Sequence, residues 1–338
     1  MNTNRRTFLS LVGAAGVAAA AGKPVRAAVY GVGHAHARSK IRVLGRLPQF
    51  ELAGVCPRDV PQRFDAVTAP GVRRLERDEV LEDPSIELVA VEAHVAENLQ
   101  FAHEAVDAGK FVHLDKSPGA DFNSFRNLLD KASAKGRVVQ MGYMWRYHTA
   151  MSRAIETARA GDLGEIYMVR ATINKPMSEE DRRPLAAFKG GMMFEMGGHM
   201  IDRIVDLLGA PKRVDGQLRH DGPFDDGLAD NNLALLEFDR AMAEVYVAAM
   251  QPNGNSYRRL EILGTKGTAT VQPFSPDGRI ALDFGAGREE MELAVAAQPY
   301  ETDFVEMAAV IREGRKPQYS VDHDLAVQKA LLDACEML

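Results

Sequence analysis

Residues 25–30 read VRAAVY, and Gly31-Val32-Gly33 follows without a break. A helical stretch then runs to about Leu47. An apolar strand that turns through two glycines straight into a helix leaves few folds open. It is the first unit of a parallel sheet, with backbone N–H groups exposed at the helix start where an anionic group can be held. The rhythm continues. Strands are expected at Phe50–Cys56, Gly71–Leu75, Ile86–Val91, Lys110–Leu114 and Arg137–Met141, with helices at about Ala96–Ala108 and Phe122–Lys135. Strands alternating with helices give a parallel sheet covered on both faces.

After Trp145 the pattern changes. A helix near Thr149–Ala160, a strand at Ile166–Ile173 and a polar loop to Lys189 lead into a second helix. Strand-like segments without intervening helices follow, at Val214–Leu218, Asn232–Phe238, Ala243–Ala248, Arg258–Leu263, Thr268–Val271 and Arg279–Phe284. Such a run argues for an antiparallel sheet. Closing helices are expected at about Tyr300–Glu313 and Asp322–Glu336. The fold class is therefore an α/β Rossmann-type dinucleotide-binding domain followed by an α+β domain with a predominantly antiparallel open sheet. A length of 338 residues suits two domains, read as 23–143 and 144–338. The second sheet would expose apolar residues in a monomer, with Met242, Val245 and Val247 as candidates, so a homodimer or homotetramer is expected.

Residues 1–22 stand apart. Arg5 and Arg6 precede Phe8-Leu9 and an uncharged Ala-rich stretch. This is the composition of a signal peptide, and the paired arginines resemble the twin-arginine export signal. A periplasmic or otherwise exported protein is expected, with an uncleaved anchor as the alternative. The apolar stretch is too short for a comfortable membrane span. A net charge of −6 gives no reason to expect nucleic acid. Cys56 and Cys335 stand near opposite ends of the chain and are read as free buried thiols.

At the glycine turn, Gly31, Gly33, His34 and His36 are candidate cofactor residues, with His36 where the dinucleotide fingerprint has its third glycine. His34-x-His36 is also a possible metal pair, but needs further ligands at later strand ends; no metal is expected. The second strand ends Cys56-Pro57-Arg58, without the usual ribose-binding acid unless Asp59 reaches back. Arg58 can meet a 2′-phosphate, so NADP is slightly preferred over NAD. In MMFEMGGHMID, Glu195, His199 and Asp202 share one face of an ideal helix. A carboxylate there would raise the His199 pKa and orient its ring as a base.

With the motifs AVDAGKFVHLDK, MGYMWRYH, GGMMFEMGGHMID and LEILGTKGTATV, the chain resembles the Gfo/Idh/MocA oxidoreductases over nearly all of its length after the signal. The resemblance implies an NAD(P)-dependent enzyme acting on a sugar, polyol or related hydroxy compound. The family's Glu-Lys-Pro motif falls on Asp115, Lys116 and Ser117. Lys116 is expected between nicotinamide and substrate hydroxyl. The Asp-x-x-x-His motif falls on Glu195 and His199, with His199 as acid–base and Glu195 supporting it. Arg146 and Tyr147 are read as substrate-side residues or, equally, as structural at the domain junction. Asp202 is read as substrate-side or one layer behind His199. Asp115, Asn98 and His94 are read as cofactor-side, with packing as the alternative for His94. Two alternatives remain: an NAD-dependent glycosidase or lyase without net redox, and a non-catalytic cofactor- or sugar-binding protein.

Overall fold

A computed structural model describes residues 22–274, 278–293 and 299–338. The proposed signal segment lies outside the described residues, apart from Gly22. Among them, five strands form a parallel sheet: β1 (Val25–Tyr30), β2 (Phe50–Cys56), β3 (Leu88–Val91), β4 (Phe111–Leu114) and β5 (Val139–Met141). Their order is β2-β1-β3-β4-β5, so the chain reverses direction across the sheet between β1 and β3. The crevice at that switch, outside the carboxyl ends of the strands, is where ligands bind in open α/β sheets. Apolar runs such as LVAV in β3 are wholly buried because helices cover both faces.

One face carries the helices Val95–Asp107 and Phe122–Ala134. The other carries Ala37–Arg46 and a distant helix, Glu301–Glu313. The latter helix departs from the expected division at residue 143. Phe304, Met307 and Ala308 share a core with β1 and β2, and Asp303 meets His113 of β4 at 3.1 Å. Its apolar face has no comparable partner nearer in sequence. The expected strand at Gly71–Leu75 is not one. Between two short helices, it pairs with β2 only where Arg74 meets Val55, and Gly71 turns the chain with φ of 87°.

The second sheet comprises β6 (Ile166–Thr172), β7 (Arg213–Arg219), β8 (Asn231–Glu237), β9 (Met242–Ala248), β10 (Arg259–Gly264), β11 (Thr268–Val271), β12 (Gly278–Asp283) and β13 (Arg288–Leu293). Its order is β13-β12-β11-β10-β6-β9-β8-β7, and every adjacent pair is antiparallel except β6 and β9. β13 was not expected, because REEMEL is a charged edge strand without an apolar face to betray it. The inner face is covered by the helices Thr149–Arg159 and Gly198–Leu208, and Val321–Ala334 packs on Gly198–Leu208 and against β7. Val245 and Val247 belong to that inner face and are fully buried, contrary to the expectation that they would be exposed. The pleat turns Met242, Tyr246 and Leu235 outward instead. Both cysteines are free and buried. Among the described residues, no helix is long and apolar enough to cross a membrane.

Candidate functional site

Three loops meet at the carboxyl edge of the parallel sheet: Gly31–His36 after β1, Glu92–His94 after β3, and Asp115–Ser117 after β4. Gly31 has a φ of 87°, and a Cβ there would fall 2.7 Å from the Ala93 backbone. A Cβ on Gly33 would fall 2.7 Å from the His94 nitrogen. The glycines let the first two loops touch. The missing acid of the second strand does reach back. Asp59 accepts from the N–H groups of Val32 and Gly33, at 2.8 Å each, and of His94 at 3.1 Å. Three backbone donors from two loops thus converge on one carboxylate, the donor set of an anion cradle.

Beside the cradle, at the end of β2, lies a cavity of about 290 Å³ lined by residues including Cys56, Pro57, Arg58, Arg74 and Arg77. Arg58 is not a free cation. It bonds Tyr30 and, at 2.7 Å, Glu104, which also takes Arg77 at 3.0 Å. A dinucleotide fits this edge: the cavity suits its adenosine end, and Asp59 already stands in for an anionic group on the turn. Asn98 and His94 flank it. Asn98 donates to the Ser117 carbonyl at 3.2 Å, while its own carbonyl oxygen is buried without a partner.

His34 and His36 turn inward onto Asp115. Their Nδ1 atoms lie 2.9 and 3.0 Å from Asp115 Oδ2, and the three ligand-type atoms fall within 4.8 Å of one another. The Lys40 ammonium sits on the same oxygen at 3.0 Å and bridges to Glu92 at 2.8 Å. A fixed cation therefore already fills the place beside that oxygen. His36, the residue at the third-glycine position, also packs against Tyr300. Desolvation pushes its imidazole down to about 4, while Asp115 is held well below the usual carboxylate range by its cationic and imidazole neighbours, against the opposing cost of burial.

The site helix is not an ideal helix. Residues Met193–Gly197 form a π turn before the α-helix Gly198–Leu208 begins. Such turns recur at functional sites. Here the carbonyls of Phe194 and Glu195 accept from Ser117 Oγ at 2.9 Å and Lys116 Nζ at 2.8 Å. The peptide between Lys116 and Ser117 is cis. Lys116 also pairs with the Glu195 carboxylate at 2.9 Å. The expected Glu195–His199 pair does not form; the Glu195 carboxylate is turned to Lys116 instead.

His199 accordingly behaves opposite to expectation. Burial holds its imidazole well below the ordinary range, and the charges of Lys116 and Arg258 add to the effect. It is neutral near pH 7, and its Nδ1 is buried with no hydrogen-bond partner. Tyr143 and Trp145 stand edge-on to its ring at 5.8 and 6.3 Å, and the Tyr143 hydroxyl is likewise unpartnered.

Three expected substrate residues lie elsewhere. Asp202 binds Arg146 at 2.7 Å, Arg203 at 2.7 Å and His323 at 3.0 Å. Arg146 is 2 % exposed and also meets Asp324. Tyr147 donates to Glu306 of the returning helix. These residues brace the domain junction. Conversely, Tyr143 and Trp145, quoted within MGYMWRYH but given no role, stand against His199, and Arg258 was not singled out in the sequence.

Residues 151–270 match the model of the GFO/IDH/MocA C-terminal domain. The chain is 25 % identical over 294 residues to an uncharacterized oxidoreductase of Rhizobium meliloti, spanning 83 % of this chain and 87 % of that one. It is 28 % identical over 260 residues to scyllo-inositol 2-dehydrogenase (NAD(+)) of Bacillus subtilis, covering 73 % of each. In fold it is similar to aldose-aldose oxidoreductase from Caulobacter crescentus, with a TM-score of 0.79 and 20 % identity over 93 % of this chain and 98 % of that one. With this fold and these relatives, the chain is an enzyme of the oxidoreductase kind.

Proposed function

We propose that this chain is a Gfo/Idh/MocA-type oxidoreductase that moves hydride between a nicotinamide dinucleotide and a CH–OH group of a sugar, polyol or related hydroxy compound. The observation that carries the reading is the Lys116–Glu195 pair after β4, at the carboxyl edge of the parallel sheet, with the buried His199 imidazole feeling the lysine's charge. The cofactor, when bound, supplies the hydride acceptor or donor. The chain's own groups do the rest. The N–H groups of Val32, Gly33 and His94, which Asp59 accepts from here, would pass to an anionic group of the cofactor once that carboxylate turns away, and the cavity at Cys56–Arg77 receives the adenosine end. Lys116 presents an ammonium to the reacting oxygen and favours its developing alkoxide character. His199, neutral and with a ring nitrogen unpaired, takes the hydroxyl proton as the C–H bond breaks. Glu195 aims Lys116 through its carboxylate and its carbonyl.

The paired Arg5-Arg6 supports export of the folded protein. The outward row Leu235, Met242 and Tyr246 supports a second subunit against the open sheet. Arg58 is neutralised by Glu104, so its presence does not favour a 2′-phosphate as the sequence suggested.

The test begins with folded protein and nothing added. Denaturation should release NAD or NADP, identified by mass spectrometry, or the empty protein should bind one of them in a titration. A protein that binds neither nucleotide would end this reading. With the nucleotide settled, absorbance at 340 nm across polyols, sugars and sugar acids tests for hydride transfer.

A further inference from the structure

Among the described residues, the deeply buried arginines Arg146, Arg182 and Arg203 each meet a carboxylate. Arg258 does not. It is 8 % exposed, and Nε donates to the Asn174 carbonyl at 3.3 Å. Among the described residues no acceptor meets its two terminal nitrogens, and no acidic group pairs with it. A guanidinium removed from water without a counter-charge is costly.

Its place in the sheet gives that charge a direction. Arg258 enters β10 two residues before Leu260 and four before Ile262, both buried on the inner face. The alternation of the strand puts Arg258 on that face too. Asn174, which holds it, follows β6 and is tied to β9 through the Ala248 N–H at 2.7 Å. β9 in turn packs on the π turn, where a Cβ on Gly197 would lie 3.8 Å from Val247. Arg258 is thus on the sheet wall facing the helix that carries His199, and its charge is felt at that imidazole.

We propose that Arg258 is the anion subsite of this cleft and that the hydroxy substrate is a sugar acid, whose carboxylate it receives. The planar fork of a guanidinium matches the two oxygens of a carboxylate. A single unpaired cation balances a single negative charge, whereas a phosphate dianion would call for more. Lys116 already carries the Glu195 carboxylate at 2.9 Å and is committed to the reacting hydroxyl. A carboxylate on Arg258 would anchor one end of the substrate while a hydroxyl reaches Lys116 and His199. The proposal rests on the reading of this cleft as a site for a hydroxy compound.

The experiment uses the full chain and a set of hexuronates, hexonates and hexose phosphates, each beside its neutral parent. Thermal shift ranks them, and calorimetry measures the tightest. The expected result is a carboxylate at least 10-fold tighter than its neutral parent. R258Q should remove that advantage, so that the acid and its neutral parent bind the variant alike, and R258K should restore part of it. Neutral parents binding as well as their acids, no acid binding at all, or R258Q binding the acid like the wild type would each overturn the proposal. Preference for phosphates alone would overturn the carboxylate assignment. The comparison of acid with neutral parent needs only the wild type, so a misfolded variant does not decide it. Arg258-dependent binding of an acid that never reduces nicotinamide would refute the hydride-transfer reading and leave the subsite standing.

Discussion

Asp202 offers a direct test of whether a polar residue on the site helix serves ligand or structure. Its Oδ1 takes Arg146 Nε at 2.9 Å and His323 at 3.0 Å, and its Oδ2 takes Arg203 Nε at 3.0 Å and Nη2 at 2.7 Å. Both arginines are almost wholly buried. D202N keeps the shape, removes the charge and turns an N–H₂ donor toward groups that are donors themselves. Breaking one side of a buried ion pair costs about 3–5 kcal/mol. Asp324 stays on Arg146 and Asp206 on Arg203, so the low end applies, about 3 kcal/mol. Guanidinium unfolding followed through Trp145, the single tryptophan, reads this out close to the site. D206N, on a more exposed partner, should cost under about 1 kcal/mol. An unchanged unfolding midpoint in D202N together with a raised substrate KM would refute the structural assignment.

Other outcomes follow from the same geometry. The folded-state pKa values of His36, His113, His148 and His199 are lowered by burial, that of His36 to about 4. The unfolded chain then binds protons first, so stability should fall as pH drops from about 6.5 towards 4. Denaturant midpoints at pH 7.5 and 5 would reveal it, H36N should flatten the slope, and equal midpoints would contradict the argument. G33A would press a methyl group against His94 and Asp59, so about 1–3 kcal/mol of stability and dinucleotide binding should both be lost, as calorimetry and unfolding would show. K116M should slow single-turnover hydride transfer about 10²–10³-fold with the nucleotide Kd unchanged. A K116M enzyme of normal rate would remove the lysine from the chemistry.

The parallel sheet was legible because its signals are local. A buried strand such as VRAAVY is apolar throughout, and the glycine turn needs φ values that few residues adopt. β13 was illegible for the opposite reason, being charged and solvated. The Glu195–His199 pairing was misread because spacing within a helix says nothing of partners from elsewhere in the chain. Lys116, 79 residues away, takes the Glu195 carboxylate. Asp202 was misassigned because a carboxylate one turn from a candidate base looks the same in sequence whether it faces a ligand or two buried arginines. Asp59 and Arg258 carry no motif. The role of each depends on which partners the fold brings or withholds.

That last distinction bears on how the cleft works. The chain buries many charges, and most are matched at once: Lys40 by Asp115 and Glu92, Arg146 by Asp202 and Asp324. Matched charges fix positions but have little left to offer a ligand. Among the described residues, some of the buried groups left unmatched belong to the candidate site. His199 has a bare ring nitrogen, the Tyr143 hydroxyl has no partner, and Arg258 has no counter-ion. Burial lowers the Arg258 guanidinium to about 10, which still leaves it charged at neutral pH. A folded protein tolerates such orphans where a ligand completes them. The surrounding ion pairs keep these groups in register, so removing a matched pair should mainly lower stability. Removing an unmatched group should mainly change what the cleft binds and how fast it reacts.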